Sequence, residues 1–364
     1  MAGPLVGIKV LDLSRILAGP WASQVLADYG AEVIKVEHPD GDDTRRWGPP
    51  FLSEANDESA SENGDSGYFL AANRGKRSIC VDFNTPQGQA ILIRLIERSD
   101  VLLENYKCGG LKKYGLDYKS VSEINPAIIY CSITGFGQTG PYAHRPGYDA
   151  IIQAMGGLMS VTGEKDDLPG GGPQKVGVAV ADLMTGMYAV SGITAALYHR
   201  EKTGQGQHID LALFDTQVAF MANQNMNYLL SGTAPKREGS AHPNIVPYQT
   251  VKAKDGHFML AVGNDNQFER FCEVIDLLEL ANDSRFNTNE RRVANRKTLL
   301  PMLLKRLDQK TCHHWLTLLE EAQVPAAPVN DLSQVFKDPQ ILAREMLFEL
   351  PRGEQGKNEM IQQV

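Results

Sequence analysis

Asp182 is the acidic residue whose setting most suggests chemistry. It follows the apolar run at 178–181 (VAVA) and opens a long helical pattern. At such a position an aspartate commonly caps the helix by accepting a hydrogen bond from a backbone N–H of the first turn. In an apolar cleft it could instead act as a nucleophile, because burial removes the water that makes an ordinary carboxylate unreactive. The residue type and position alone leave both interpretations open.

A glycine-rich loop at 135–140 (GFGQTG) follows a strand-like segment and matches the GxGxxG pattern of dinucleotide-binding proteins. That pattern binds a pyrophosphate only when a helix begins at the loop. Here Pro141 follows at once, and the residues at 144–147 (HRPG) also disfavour a helix. The sequence therefore argues against nicotinamide or flavin binding at this loop, whose glycines instead permit close approach of another ligand.

Metal-binding and hydrolase patterns are absent from the sequence. His313 and His314 are adjacent in a helical stretch, so their side chains point in different directions, and no HExxH, GxSxG or GxxxxGK[ST] pattern occurs. The five cysteines are far apart and form no CxxC pair, which disfavours a disulfide framework and a cysteine-ligated zinc site. We expect no metal cofactor and a cytoplasmic location.

The overall composition is that of an ordinary globular protein. The chain has 364 residues, 42% hydrophobic and 22% charged, with 36 basic and 44 acidic side chains and a net charge of −8. An acidic chain without a basic block is a poor nucleic-acid binder. No signal-peptide pattern opens the sequence, and no apolar run reaches the roughly 20 residues needed to span a bilayer. We therefore expect neither nucleic acid nor a membrane as a partner.

Alternating strand and helix patterns predict an α/β fold. Residues 7–13, 21–29 and 31–37 form a strand, a helix and a strand, which is a βαβ unit. The residues at 85–88 (TPQG) open a second helix, whose apolar residues Ile91, Leu92, Leu95 and Ile96 share one face. A mainly parallel sheet covered on both faces follows from this pattern. Further strands are predicted at 78–83, 101–104, 127–134 and 208–213.

Two long helices are predicted at 182–200 and 214–230. The first has large apolar residues along one expected stripe, at Leu183, Met187, Val190 and Leu197. Beyond residue 232 the pattern changes to a hairpin at 251–262 and charged amphipathic helices. We divide the chain into a large domain at 1–231, a small α+β domain at 232–325, and a segment at 326–364 that begins a return to the large domain. The acidic stretch at 53–67 is predicted to be a solvated loop.

Motifs along nearly the whole chain resemble the class III CoA-transferases. The resemblance implies a Rossmann-like large domain, a smaller α+β domain and an interlocked homodimer. It places Asp182 at the position of the nucleophilic aspartate, which carries CoA as an aspartyl thioester between an acyl-CoA donor and a carboxylic acid acceptor. The greatest likeness is to members that use succinyl-CoA and a dicarboxylate such as glutarate. The matching motifs are LDL (11–13), LAGP (17–20), GAEVIKVE (30–37), DTR (43–45), NRGKRSI (73–79), LENY (103–106), GFGQTGP (135–141), GYD (147–149), AD (181–182) and TGQGQ (203–207).

The resemblance also implies a CoA site in the large domain and a nearby acceptor site. Lysines at 107, 112 and 113 would supply positive charge for the ADP phosphates. Arg15 and His242 are candidates for binding the free carboxylate of a dicarboxylic acid, and Gly239 for a mobile loop above the site. The positions that match CoA-binding residues are Leu17, Ala18, His38, Val81, Asn84, Asn105, Tyr106, Lys107, Lys113, Arg145, Tyr148 and Asp149.

Two alternatives share this scaffold. An α-methylacyl-CoA racemase would abstract a proton with a His/Asp pair, but Tyr148 precedes Asp149 where racemases have histidine, which removes the obvious base. A catalytically inert CoA-binding relative would need Asp182 to be replaced or its pocket filled, and Asp182 is present. The resemblance therefore favours a transferase.

Overall fold

The computed structural model describes residues 3–52, 64–352 and 359–364. They form two compact units. Unit 1 comprises the chain up to Thr162 together with Pro173–Pro235, and unit 2 comprises Gly163–Gly172 with Lys236–Val364. The predicted boundary after residue 231 lies close to the point where the chain leaves unit 1, and residues 326–364 lie within unit 2. Residues 53–63, most of the predicted acidic loop, lie outside the described residues.

Unit 1 is built on a sheet of six parallel strands in the order β3-β2-β1-β4-β5-β6. This confirms the predicted α/β class with a mainly parallel sheet. The order reverses between β1 and β4, and ligands of such sheets bind in the crevice at the carboxyl ends of the strands near this reversal. The strands are β1 (Lys9–Asp12), β2 (Glu32–Glu37), β3 (Lys76–Cys80), β4 (Val101–Glu104), β5 (Ile129–Thr134) and β6 (Gln207–Ala212).

Nine α-helices accompany this sheet in the described part of unit 1. The third begins as predicted, because the Thr85 side chain accepts a hydrogen bond from Gly88 N and proline occupies its first turn. Of the four apolar residues on its predicted face, Leu92 and Ile96 are buried, whereas Ile91 is 48% exposed. The helices are α1 (Ala18–Asp28), α2 (Gly67–Leu70), α3 (Pro86–Ile96), α4 (Tyr118–Ile124), α5 (Asp149–Met155), α6 (Leu158–Val161), α7 (Val180–Thr203), α8 (Leu213–Phe220) and α9 (Ala222–Ser231).

Two further sequence predictions in unit 1 need correction. The helix expected at 214–230 is divided into α8 and α9, and Ala222 has a φ of +44° at the break. Met187 is exposed rather than part of the buried stripe of α7. That stripe consists mainly of small residues, so the neighbouring helix approaches closely: a Cβ added at Gly186 would lie 2.8 Å from Ala18 O.

The sheet is covered by separate apolar cores on its two faces. Val10, Val101 and Ile129 face α1 and α7, while Leu11 and Leu102 on the same strands belong to the core that includes residues of α3 and α4. Alternate residues of a strand point to opposite faces, which explains the division. By length and apolar composition α7 could cross a bilayer, but eight of its residues are buried within unit 1.

Unit 2 contains a three-stranded antiparallel sheet packed against helices. Its first two strands form the predicted hairpin, with Val251 opposite Phe258. Phe258, Phe271 and Trp315 lie at the centre of its core. The elements are β7 (Tyr248–Ala253), β8 (Gly256–Ala261), α10 (Asp265–Val274), α11 (Glu279–Asn282), α12 (Asn289–Ala294), α13 (Arg296–Leu307), α14 (Cys312–Glu321), β9 (Ala326–Pro328), α15 (Leu332–Val335), α16 (Pro339–Ala343), and the paired strands β10 (Phe348–Arg352) and β11 (Glu359–Gln363).

Candidate active site

Asp182 lies in the first turn of α7 but does not cap it. The residue that precedes the helix is Ala179, and it provides no side-chain cap. Within the described residues, no hydrogen bond reaches the Asp182 carboxylate oxygens. The capping interpretation of Asp182 is therefore wrong, and its carboxylate is left unengaged by these residues.

Asp149, the first residue of α5, supplies the missing cap. Its Oδ1 accepts hydrogen bonds from Ala181 N at 2.8 Å and Asp182 N at 3.4 Å. Its Oδ2 accepts a hydrogen bond from Gln153 Nε2 at 2.7 Å. A carboxylate is well suited to the positive end of a helix dipole. Asp149 thus satisfies the first amides of α7 and leaves the Asp182 side chain unengaged.

The surroundings of Asp182 make its carboxylate unusually basic. Burial is the main cause and the negative charge of Asp149 the second, and together they raise the pKa of Asp182 to about 7 from the ordinary value near 3.8. Both causes disfavour the ionised form. Near neutral pH the carboxylate is therefore about half ionised, and its ionised form is poorly solvated and correspondingly nucleophilic.

Tyr68, on α2, belongs to the same site and was missed in the sequence. Burial, followed by the charges of Asp182, Asp149 and Asp42, raises the pKa of Tyr68 to about 12. Its phenol therefore stays protonated at neutral pH and can donate a hydrogen bond. Trp47 packs edge-on against its ring, with the centroids 5.2 Å apart. Tyr68 follows the acidic stretch and lies in no predicted helix or strand. Its aromatic residue type was therefore the only signal in the sequence that could have pointed to it.

The loop between β1 and α1 is held firmly at the carboxyl edge of the sheet. Ile16 has a φ of +71°, a strained conformation for a β-branched residue. Asn105 holds the loop from one side, accepting from Arg15 N at 2.9 Å and donating to Arg15 O at 2.6 Å. Asp42 accepts from Ile16 N at 3.3 Å. The next residues, Leu17 and Ala18, are buried, so the strained loop has a fixed shape.

Several predicted CoA-binding residues follow the carboxyl ends of neighbouring strands. His38 follows β2, Val81 follows β3, and Asn105 follows β4. Tyr106 comes next, with the Arg15 guanidinium 5.9 Å from the centre of its ring. The crevice at these ends is where parallel α/β sheets bind ligands, so the fold brings these candidates to one edge.

A second group of predicted CoA residues surrounds Tyr114. The Tyr114 hydroxyl donates to Asn84 Oδ1 at 2.6 Å, and Lys113 Nζ lies 4.5 Å from the centre of its ring. Lys107 lies in the preceding turn, where its carbonyl accepts from Gly110 N. The tyrosine thus connects Asn84 with the lysine-bearing turn.

The remaining CoA candidates of unit 1 lie around the glycine-rich loop. No helix begins at 135–140, as predicted, and the next one is α5. The Arg145 guanidinium lies 4.1 Å above the ring of Tyr142. Tyr148, which immediately precedes α5, is 66% exposed. Tyr148 is therefore accessible, whereas both carboxylate oxygens of its neighbour Asp149 are occupied.

The acceptor-site candidates are divided between the units. Arg15 is half exposed in unit 1 and pairs with Asp43 at 3.2 Å. Gly239 and His242 belong to unit 2, where Gly239 has a φ of +62° and donates its N–H to Gly163 O. Burial, followed by the charge of Arg296, lowers the pKa of His242. His242 is therefore mostly neutral at physiological pH and suited to hydrogen bonding rather than ion pairing.

Neither histidine of α14 contributes to a metal site in the described residues. His314 packs edge-on against Trp315, with ring centres 5.1 Å apart. No group of three or more potential metal ligands occurs in the part of the chain that the structure describes.

Comparison with known proteins agrees with this geometry. A model of CoA-transferase family III matches residues 5–364. The chain is 53% identical over 348 residues to succinate–glutarate CoA-transferase of Agrobacterium fabrum, covering 95% of this chain and 85% of that protein. It is 45% identical over 355 residues to human succinyl-CoA:glutarate CoA-transferase, covering 97% and 78% of the two chains. A crystal structure of a CAIB/BAIF family protein from Brucella suis superposes with a TM-score of 0.84 at 51% identity, covering 99% of this chain and 95% of the other.

The chain therefore belongs to CoA-transferase family III and is an enzyme that uses CoA thioesters as substrates.

Proposed function

We propose that this enzyme transfers CoA from succinyl-CoA to a dicarboxylic acid such as glutarate, with Asp182 carrying CoA between them. One observation carries the proposal: a buried, unengaged carboxylate at the start of α7, whose amides are capped by Asp149 instead. The names of the two relatives at 53% and 45% identity support the choice of succinate and glutarate as donor and acceptor acids.

The reaction is a series of acyl exchanges without redox change. An Asp182 oxygen attacks the thioester carbonyl, the C–S bond breaks, and CoA thiolate leaves an aspartyl–acyl anhydride. The thiolate attacks the aspartyl carbonyl and expels the donor carboxylate, which gives an aspartyl-CoA thioester. The acceptor carboxylate then attacks the aspartyl thioester, which releases CoA thiolate and forms a new anhydride. The thiolate attacks the acceptor's carbonyl in this anhydride, which gives the acceptor's CoA thioester and regenerates the Asp182 carboxylate. Each tetrahedral intermediate needs a donor for its oxyanion, and the protonated phenol of Tyr68 is a candidate.

CoA binding at the carboxyl edge of the unit 1 sheet completes the proposal. The strained loop before α1 presents the backbone of Leu17 and Ala18, and the turn at 107–113 presents its lysines to the phosphates. Arg15, within this loop, is half exposed and can bind the distal carboxylate of the acceptor. The acceptor-binding role of Gly239 and His242, which belong to unit 2, stays a prediction from the family resemblance.

We also propose a homodimer in the cytoplasm, with no membrane or nucleic-acid partner. Helices α7 to α9 expose large apolar side chains, among them Tyr198 at 68%, Leu229 at 69% and Leu230 at 81%. Such a surface favours burial against a second copy of the chain. Five free cysteines suit a reducing compartment. Light scattering after gel filtration tests the dimer, and a monomeric mass at micromolar concentration would exclude it.

The decisive experiment is intact-mass analysis after mixing with succinyl-CoA. The wild type and an Asp215→Ala control, which removes an exposed carboxylate on α8, should both gain covalent CoA, and Asp182→Ala should not. An adduct that persists in Asp182→Ala would remove Asp182 from this role. Initial rates should follow ping-pong kinetics with glutarate as acceptor. Exchange of the α-proton in deuterated water without acceptor would indicate the racemase alternative instead.

A further inference from the structure

Gln153 is a fully buried amide one helical turn after Asp149 on α5. Its Nε2 donates to Asp149 Oδ2 at 2.7 Å and lies 3.5 Å from Val178 O. Its Oε1 accepts from Val176 N at 2.9 Å. One side chain therefore joins the cap of α7 to the extended segment that leads into that helix.

An amide is required for this pattern of contacts. Val176 presents an N–H and needs an acceptor, while the Asp149 carboxylate needs a donor. Glutamine provides both from one planar group, whereas an ionised glutamate cannot donate and a methionine of similar size can do neither well. Buried groups that lose such partners cost free energy and tend to reorient.

Reorientation of Asp149 would affect the Asp182 carboxylate, because Asp149 accepts from the amides that begin the same helix. If Asp149 turns away, the amides of Ala181 and Asp182 lose their acceptor. The Asp182 carboxylate lies in the first turn of the same helix and could then accept from these amides. A capping Asp182 would no longer be free to attack a thioester.

We propose that Gln153 is a positioning residue, which holds the Asp149 carboxylate on the α7 amides and thereby keeps the Asp182 carboxylate available for attack. The inference rests on the proposed role of Asp182 as nucleophile. It concerns a residue that touches neither substrate nor reacting atoms.

The inference has a signature in the pH dependence of the reaction. The titratable groups with an identified influence at this point are Asp149 of α5 and, through its phenol, Tyr68 of α2. Without the Gln153 donor, the Asp149 carboxylate turns away from the α7 amides. Its negative charge then no longer faces Asp182, and the amides it leaves can donate to the Asp182 carboxylate; both changes lower the pKa of Asp182. The acid limb of the rate profile therefore moves to lower pH while the maximal rate falls.

The experiment compares Gln153→Met with Gln24→Met. Gln24 is also fully buried and joins two backbone groups, donating to Ala71 O and accepting from Arg74 N, so its loss provides a matched structural control. For Gln153→Met we expect kcat for CoA transfer from succinyl-CoA to glutarate to fall about tenfold or more, KM for succinyl-CoA to change less, and the acid limb of kcat/KM for succinyl-CoA to move to lower pH. Gln24→Met should lower the melting temperature and leave that limb in place.

A second variant keeps the inference testable if Gln153→Met does not fold. In Gln153→Glu, only the protonated glutamic acid can donate to Asp149 while its carbonyl accepts from Val176. This variant should therefore be most active at a lower pH than the wild type and lose activity as pH rises.

Two outcomes would overturn the inference: a wild-type rate and acid limb in Gln153→Met, or a reduced rate in both Gln153 variants with an unmoved pH profile. Failure of the wild type to form any CoA adduct would instead refute the proposed function of Asp182. The mass measurement thus separates the two claims.

Discussion

Replacing Asp149 by asparagine should move the pH dependence of the enzyme without removing its nucleophile. The asparagine carbonyl oxygen can still accept from Ala181 N, but its amide nitrogen cannot accept from Gln153 Nε2, so the cap loses part of its support. A weaker cap and the lost charge both act to lower the pKa of Asp182. The substitution removes the negative charge beside Asp182, which is the second cause of its raised pKa after burial. Since burial remains, the pKa of Asp182 should fall below about 7 but stay above its ordinary value near 3.8.

The expected size of the effect follows from these two causes. A neighbouring like charge contributes on the order of one pH unit, or about 1.4 kcal/mol. Attack requires the ionised carboxylate, so activity is lost as pH falls through the pKa. With a pKa of about 7, the rate at about pH 6 is roughly a tenth of that at about pH 8. With a pKa near 6, the same ratio is roughly one half.

The assay is kcat/KM for succinyl-CoA, measured with saturating glutarate between about pH 5.5 and 8.5. Asp215→Asn, which removes an exposed carboxylate on α8, is the control and should reproduce the wild-type profile. An acid limb that stays in place or moves upward in Asp149→Asn would refute the electrostatic coupling of the two carboxylates.

Three further outcomes are expected. In α7, Gly186→Ala should destabilise the protein by about 1–3 kcal/mol, because the added Cβ would lie 2.8 Å from a backbone oxygen. Gly192→Ala, whose Cβ meets nothing closer than 3.5 Å, should instead stabilise the protein by up to about 1 kcal/mol, and urea unfolding distinguishes the two variants. Lys76→Met should lower the free energy of unfolding by about 3 kcal/mol or more, because it leaves the buried Asp12 carboxylate without its ion-pair partner. The control Arg77→Met removes an exposed ion pair and should change that free energy by about 0.5 kcal/mol or less, with urea midpoints as the measure. Asp182→Asn should raise the melting temperature more at about pH 8 than at about pH 5. The carboxyl group ionises more easily in the unfolded chain, so stability falls as pH rises from its ordinary pKa near 3.8 to the folded value of about 7, and asparagine removes this loss; equal gains at both pH values would contradict this sign.

The sequence predicted a helix or strand correctly where residues within or next to that element determine where it begins and ends. Thr85 before α3 and Pro86 in its first turn fixed the start of that helix, and β4 has the predicted bounds at Val101–Glu104. The break between α8 and α9 had no such signal, because alanine is a good helix former and Ala222 adopts its positive φ within the folded protein. Met187 was misplaced because close packing against α1 uses the small residues of α7.

In the site, too, features that depend on contacts between residues distant in the sequence could not be predicted. Family resemblance identified Asp182, but its residue type and position could not distinguish a cap from a nucleophile. The structure excludes the cap, because Asp149, 33 positions away in the sequence, accepts from the α7 amides instead. Tyr68 could not be found from spacing, since its relation to Asp182 exists only after folding. Long-range contacts of this kind leave no periodic trace in a single sequence.

The way the chain is shared between the two units has a practical consequence. Residues 163–172 belong to unit 2 although unit 1 sequence surrounds them, and Lys165 pairs with Glu238 at 2.9 Å while Asp166 pairs with Arg237. Splitting the gene after codon 235 would therefore separate these charges onto different polypeptides. A C-terminal fragment expressed alone would lack residues 163–172, which belong to its own compact unit. A fragment that contains the whole of unit 2 would need these ten residues joined to it.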